Sequence, residues 1–309
     1  MAASSSVTLA HGFGAHIGQH GQELGYGVFS PDGRQLALTL GTARGTNRHT
    51  DIYDFSRRAF TRFTAEGGGH APMWSPDGTL LAYTMEGPKT NAEDIVVQPL
   101  DKSRPPMPTP PLPNDQHASA WPNDTTLVFS SNTATGSLGS NSNSGSTSIV
   151  NPMTASSVRP YLTANWGEVE TSVSPDGQWA AFTSYETGVP EIHVHRFPGE
   201  SEGGDWKVST NGGRRSRWSA DGRTIYYMSR DARSIRAVRV TPRPVFAVGD
   251  TSTVLSSART LGSAWDLDRA TGRILVTEPV TEGGARIVVV QHWLDSFAKR
   301  VSRGASTAK

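Results

Sequence analysis

Short runs of β-branched and aromatic residues, each closed by Gly, Pro, Asn or Asp, recur along the chain and read as strands separated by turns. One turn dominates the pattern. Ser-Pro-Asp-Gly stands at Ser30 to Gly33, Ser75 to Gly78 and Ser174 to Gly177, with a one-substitution copy at Ser219-Ala220-Asp221-Gly222. Decayed copies are Trp121-Pro122-Asn123-Asp124 and Trp265-Asp266-Leu267-Asp268. The marking aspartates Asp32, Asp77, Asp124, Asp176, Asp221 and Asp268 are separated by 45, 47, 52, 45 and 47 residues. A period in the forties signals a repeat architecture.

Each repeat carries the same elements. An aromatic or Val precedes the turn: Phe29, Trp74, Trp121, Val173, Trp218 and Trp265. An apolar run follows it, as in Leu36-Ala37-Leu38-Thr39 and Trp179-Ala180-Ala181-Phe182. A third run comes later, as in Asp94-Ile95-Val96-Val97 and Glu191-Ile192-His193-Val194, and a weaker fourth closes most units. Pro presets the first central torsion of the turn, Asp bonds its own backbone, and Gly accepts positive φ. Four strands per unit and six units predict an all-β, six-bladed propeller with four-stranded antiparallel blades. The expected blades are 20–64, 65–110, 111–163, 164–210, 211–256 and 257–300, all in one domain spanning 1–309. The last unit shows three strands, so Val7-Thr8-Leu9-Ala10 is expected to close the ring as its outermost strand, with 5–12 completing the blade. The one helix candidate is the tail from Trp293 to Arg300.

Composition narrows the picture modestly. A formal charge of +1 gives no reason to expect nucleic acid or an anionic membrane surface as partner. With no cysteine there is neither a disulfide framework nor thiol chemistry. No apolar stretch reaches membrane-spanning length, so membrane insertion is not expected. Met1-Ala2-Ala3-Ser4 lacks the regions of a secretory signal. A Ser/Gly/Asn/Thr-rich stretch from Ser131 to Ser148 accounts for the long 52-residue step, and the Pro-rich Ser103 to Pro113 suits a sheet edge or loop.

The Ser-Pro-Asp-Gly repeats resemble WD-repeat-like propeller repeats of the TolB type over essentially the whole chain. From Asn165 to Leu255 the chain also resembles propellers fused to bacterial transmembrane serine/threonine kinases. Glu168, Gln178-Trp179, Phe197-Pro198-Gly199 and Trp206-Lys207-Val208-Ser209 carry that likeness, together with the closing Ile287 to Val290 and Trp293-Leu294. The resemblance implies the propeller fold and an extracytoplasmic location. It leaves function open among docking platform, sensor and enzyme, because a fold does not fix an activity. Fusion to, or docking on, another protein is among the partners it implies.

Candidate chemistry comes from registering the six units on the aromatic or Val before the turn. Four residues earlier stand Gly25, His70, His117, Val169, Arg214 and Leu261, and one residue before those come Leu24, Gly69, Gln116, Glu168, Gly213 and Thr260. Equivalent positions of a propeller converge on its axis. His70 and His117, with Glu168 of the next unit and His16 of the leading segment, are therefore expected metal ligands for one divalent ion, Zn, Mn or Ca. Glu168, Arg214 and His20 are the candidate catalytic groups, and Arg215, Glu170 and Trp166 the candidate substrate-binding groups. Asp115 and Glu23 stand in a second line.

Two functions remain open on these residues. The first is a binding or sensor propeller that holds a small molecule, glycan or peptide at its channel mouth. The second is a metal-dependent hydrolase of ester, lactone or phosphotriester bonds, or a polysaccharide lyase, at the same mouth. Gly199-Glu200-Ser201-Glu202-Gly203 matches a nucleophile elbow in letters only, since strand rather than helix follows it. The turn aspartates lie one to a blade and cannot share an ion. The recurring Trp74, Trp121, Trp218 and Trp265 are expected to pack between blades.

Overall fold

The computed structural model describes residues 6–7, 15–18, 22–42, 47–65, 67–86, 92–132, 145–154, 158–163, 166–199, 204–243, 245–262, 264–280 and 284–290. These form six antiparallel sheets and, among the described residues, no helix. The tail from Trp293 to Arg300 lies outside them. Five sheets have four strands in chain order, with inner strands Gln22–Phe29, His70–Trp74, Gln116–Asn123, Glu168–Val173 and Gly213–Trp218. The sixth has five strands, in the order Trp265–Leu267, Ile274–Val280, Gly284–Val290, Ala15–Gly18 and Ser6–Val7. The fold is a six-bladed propeller.

The N-terminal segment closes the ring and, as expected, Val7 lies in the outermost strand of the last blade, but a further strand stands inside it. Ala15–Gly18 is the fourth strand of the last blade, with Ala15 opposite Val289 and Ile17 opposite Ile287, and Ser6–Val7 adds a fifth beyond it. Chain connectivity accounts for this. In every blade the outer strand runs shortly into the next inner strand, as Lys207 does into Gly213, and Gly18 stands in the same relation to Gln22.

The repeated turns do as their chemistry dictates. Ser30 Oγ donates to Asp32 Oδ1 at 2.7 Å, the same carboxylate oxygen accepts from Arg34 N at 3.0 Å, and Gly33 closes the turn at φ 69°. Ser75, Ser174 and Ser219 repeat the contact with Asp77, Asp176 and Asp221, each at 2.6 Å. Hydrogen bonds from Ser30, Ser75 and Ser219 hold Asp32, Asp77 and Asp221 below the usual carboxylate range.

Between blades, the recurring tryptophans pack and also donate. Trp74 Nε1 reaches Val28 O at 3.1 Å, Trp218 Nε1 reaches Ser172 O at 3.2 Å, and Trp265 Nε1 reaches Arg215 O at 2.9 Å. Blade 3 departs from this: Trp121 Nε1 is buried without a hydrogen-bond partner among the described residues. At the seam, Asp266 of the last blade accepts from Phe29 N of the first at 2.9 Å and from Arg217 of the fifth at 2.6 Å. One carboxylate thus ties three blades across the point of closure.

Candidate functional site

Each inner strand begins at one end of the channel and finishes in the repeated turn at the other. Near its start, each of the first five carries a register irregularity. A bulge inserts an extra residue and re-aims the side chains beside it. In blades 2, 4 and 5 the bulge places Ala71, Glu170 and Arg215 in the left-handed region, at φ 51°, 56° and 57°. Ala71 N is held there by Thr39 Oγ1 of the preceding blade at 2.9 Å.

His70 sits immediately before that bulge, and Gly69 sits before it at φ 148°. A Cβ at Gly69 would stand 2.4 Å from Tyr83 Cδ2, so only glycine lets the strand enter here. Gly69→Ala is therefore expected to lower the melting temperature and displace His70. A melt near the wild-type value would show that the strand can enter by another path.

The structure brings His70 and His117 together from adjacent blades, with ring centroids 5.5 Å apart and planes at 62°. The carboxylate between them is Glu93, which sequence reasoning missed. Its Oε2 lies 3.3 Å from His70 Nε2 and 3.4 Å from His117 Nε2, while its Oε1 pairs with Arg48 of blade 1. One potential ligand atom from each of His70, Glu93 and His117 falls within 4.8 Å of the others. Glu93 opens the third strand of blade 2 (Glu93–Pro99), and its own N–H is capped by Asp115 Oδ1 at 2.9 Å. Asp115 thus supports the backbone beneath the trio.

The electrostatics separate the roles. His70 is 3% exposed, and burial lowers its pKa, which keeps the imidazole neutral and leaves one ring nitrogen free to ligate. Burial works against ionisation of Glu93, but the His117 and His70 imidazoles and the Arg48 guanidinium overcome it and hold the carboxyl well below its usual range. His117 Nδ1 is buried without a hydrogen-bond partner among the described residues, and His70 Nε2 faces only the Glu93 carboxylate at 3.3 Å, without good hydrogen-bond geometry. Unmet donors and acceptors of this kind are costly unless something else occupies the site.

Below the trio the channel narrows to a cavity of about 70 Å³, lined by Tyr26, His117, Glu170 and Arg215 among others. Arg215 Nε donates to Glu170 Oε1 at 2.8 Å, and Thr183 Oγ1 donates to Glu170 Oε2 at 2.9 Å. These two candidate substrate-binding residues face the channel but are engaged with each other. Burial resists ionisation of Glu170, and the Arg215 charge outweighs it, so Glu170 titrates below its usual value. Burial pushes the Tyr26 phenol up to about 12, so it keeps its proton at neutral pH.

The remaining candidates lie elsewhere. Glu168 is buried at the start of its strand and does not join His70 and His117; its charge bears instead on Tyr161 of the outer strand of blade 3. Arg214 is half-buried on the inner strand of blade 5, outside the trio. Trp166 is exposed in the turn before Glu168. The backbone of His16 runs in the fourth strand of the last blade, three strands out from the channel. At about 4.8 Å per strand that is about 14 Å from the inner strand, too far to overhang the mouth. His20 lies outside the described residues, and only the backbone of Glu23 is described, in the inner strand of blade 1.

Six sheets around a channel with a polar centre at one end make a six-bladed propeller, a fold this chain shares with TolB. Solved structures with this fold include TolB from Acinetobacter baumannii, 14% identical over 90% of this chain and 60% of that chain, with a TM-score of 0.56. A putative TolB from Agrobacterium tumefaciens is 16% identical over 88% of this chain and 91% of that one, with a TM-score of 0.58. An oligogalacturonate lyase in complex with manganese is 12% identical over 94% and 96%, with a TM-score of 0.53. At such identities the likeness is one of fold. No family profile and no curated protein matches the sequence.

Proposed function

We propose that the protein is a ligand-binding propeller whose recognition centre is one divalent ion held by His70, Glu93 and His117 at the channel mouth. The carrying observation is the spacing of 3.3 and 3.4 Å between the two imidazole nitrogens and the shared carboxylate oxygen. Ligands bound at about 2.0–2.2 Å in a tetrahedral shell stand about 3.4 Å apart. Two imidazoles and one carboxylate suit zinc or manganese better than calcium, which prefers an all-oxygen shell. Arg48, on the far oxygen of Glu93, would orient that carboxylate as an outer-shell partner.

Cavity size decides what the ion would hold. About 70 Å³ admits an oxyanion head and little more, against about 300 Å³ for an ordinary small-molecule pocket. The body of a glycan, peptide or small molecule would lie outside the mouth. The oligogalacturonate lyase with manganese supports the compatibility of this fold with a bound metal.

A second reading is favoured by the three-ligand shell, which leaves a coordination position open, as catalytic sites do. An ion there would acidify a coordinated water and polarise an ester or phosphoryl oxygen. Tyr26, protonated at neutral pH, would then donate to a leaving group.

The test measures melting with manganese or zinc against chelator, alongside hydrolysis of p-nitrophenyl acetate and diethyl p-nitrophenyl phosphate. Binding alone predicts stabilisation of about 4 kcal/mol at a thousandfold excess over Kd and no turnover. Chelator-sensitive turnover that disappears in His70→Ala/His117→Ala establishes the hydrolase. Neither stabilisation nor turnover contradicts both readings.

A further inference from the structure

The larger cavity is at the other end of the channel. It measures about 300 Å³ and is ringed by the repeated turns, with walls from Phe29, Trp74, Trp121 and Leu267 and two cations, Arg217 and Arg269. None of His70, Glu93 and His117 lines this space.

Its charge is unbalanced. Arg217 is neutralised by Asp266, through Nε to Oδ1 at 2.6 Å, and Asp266 also accepts from Phe29 N. Arg269 meets no carboxylate within salt-bridge distance among the described residues. Its Nε donates to Trp218 O and its Nη2 to Val173 O, both at 3.1 Å, which pins the guanidinium across blades 4, 5 and 6. Carbonyl dipoles orient a guanidinium but leave its charge in place. Two cations and one carboxylate leave the cavity with one net positive charge. Two bonds also leave further guanidinium N–H donors for a planar acceptor. Trp121, in the wall of the same cavity, is the interblade tryptophan whose indole N–H is buried without an acceptor among the described residues.

We propose that this turn-side mouth is a binding pocket for a carboxylate carried on an apolar or aromatic body, with Arg269 holding the carboxylate and the aromatic walls holding the body. A fixed planar fork matches a carboxylate, and about 300 Å³ matches the body of a small ligand. A free small acid and the C-terminus of a peptide share this chemistry.

The test is calorimetric titration of the wild-type protein, in chelator, with 3-phenylpropionate and with its uncharged amide. The acid is expected to bind at least tenfold more tightly than the amide, and Arg269→Gln is expected to abolish that preference. Acetyl-Ala-Phe with a free C-terminus is titrated beside its amidated form. Preference for the free peptide assigns the pocket to chain ends, and binding of the small acid without the peptide assigns it to free acids. Equal binding of acid and amide by the wild type, or no binding of either, overturns the proposal whether or not Arg269→Gln folds. A folded Arg269→Gln that keeps the acid preference overturns it as well.

Discussion

Glu93→Ala is expected to abolish divalent-ion binding while the propeller stays folded. The carboxylate is the only one shared by the two imidazoles among the described residues, and its loss leaves two neutral ligands from neighbouring blades. The affinity should fall by more than the 10–100-fold typical of removing an outer-shell partner, and Arg48→Ala, which removes such a partner, should fall within that range. Glu93→Gln keeps the shape and loses the charge, so it separates ligation from packing. Titration with manganese or zinc reads all three variants. Wild-type affinity in Glu93→Ala would show that the trio is a hydrogen-bonded cluster with no ion.

The largest effect on stability is expected from the interblade tryptophans. Trp218 is fully buried and donates to Ser172 O of the preceding blade. Trp218→Ala should cost about 3–5 kcal/mol from lost packing and the cavity left behind. The sharper comparison is with phenylalanine. Trp218→Phe gives up a buried hydrogen bond and leaves Ser172 O unmet, a cost of about 1–3 kcal/mol. Trp121→Phe removes an indole N–H that has no partner among the described residues and should cost less than Trp218→Phe. Denaturant melts of the two variants decide it. Equal losses would mean that the interblade hydrogen bonds contribute nothing measurable beyond packing.

The period of the turns made the six blades legible because each Ser-Pro-Asp-Gly satisfies its own backbone locally, leaving a fixed mark in the sequence. The registered aromatics likewise placed His70 and His117 on one axis. Glu168 was misjudged by one residue, and in a strand one residue is the opposite face. Its charge is felt by Tyr161, and it is not among the residues gathered at the histidines. Glu93 escaped notice because the register covered inner strands alone, whereas the trio draws on the start of a third strand. The signal was present in the acidic residues near the openings of those strands, Asp51, Glu93-Asp94 and Glu191. Val7 lies in the outermost strand of the last blade, as its β character suggests, while Ala15–Gly18, which pairs directly with Gly284–Val290, escaped notice because its β character is weaker. Arg269 had no repeat-derived marker at all, since it projects from the turn that has lost its Ser-Pro-Asp-Gly signature.

Metal content tests the account most directly. Protein produced without an affinity tag, dialysed against zinc or manganese and then against metal-free buffer, should retain about one ion per chain, and His70→Ala/His117→Ala should retain none. Wild-type protein that keeps no ion, or a double variant that keeps as much as the wild type, would contradict a metal centre at this mouth.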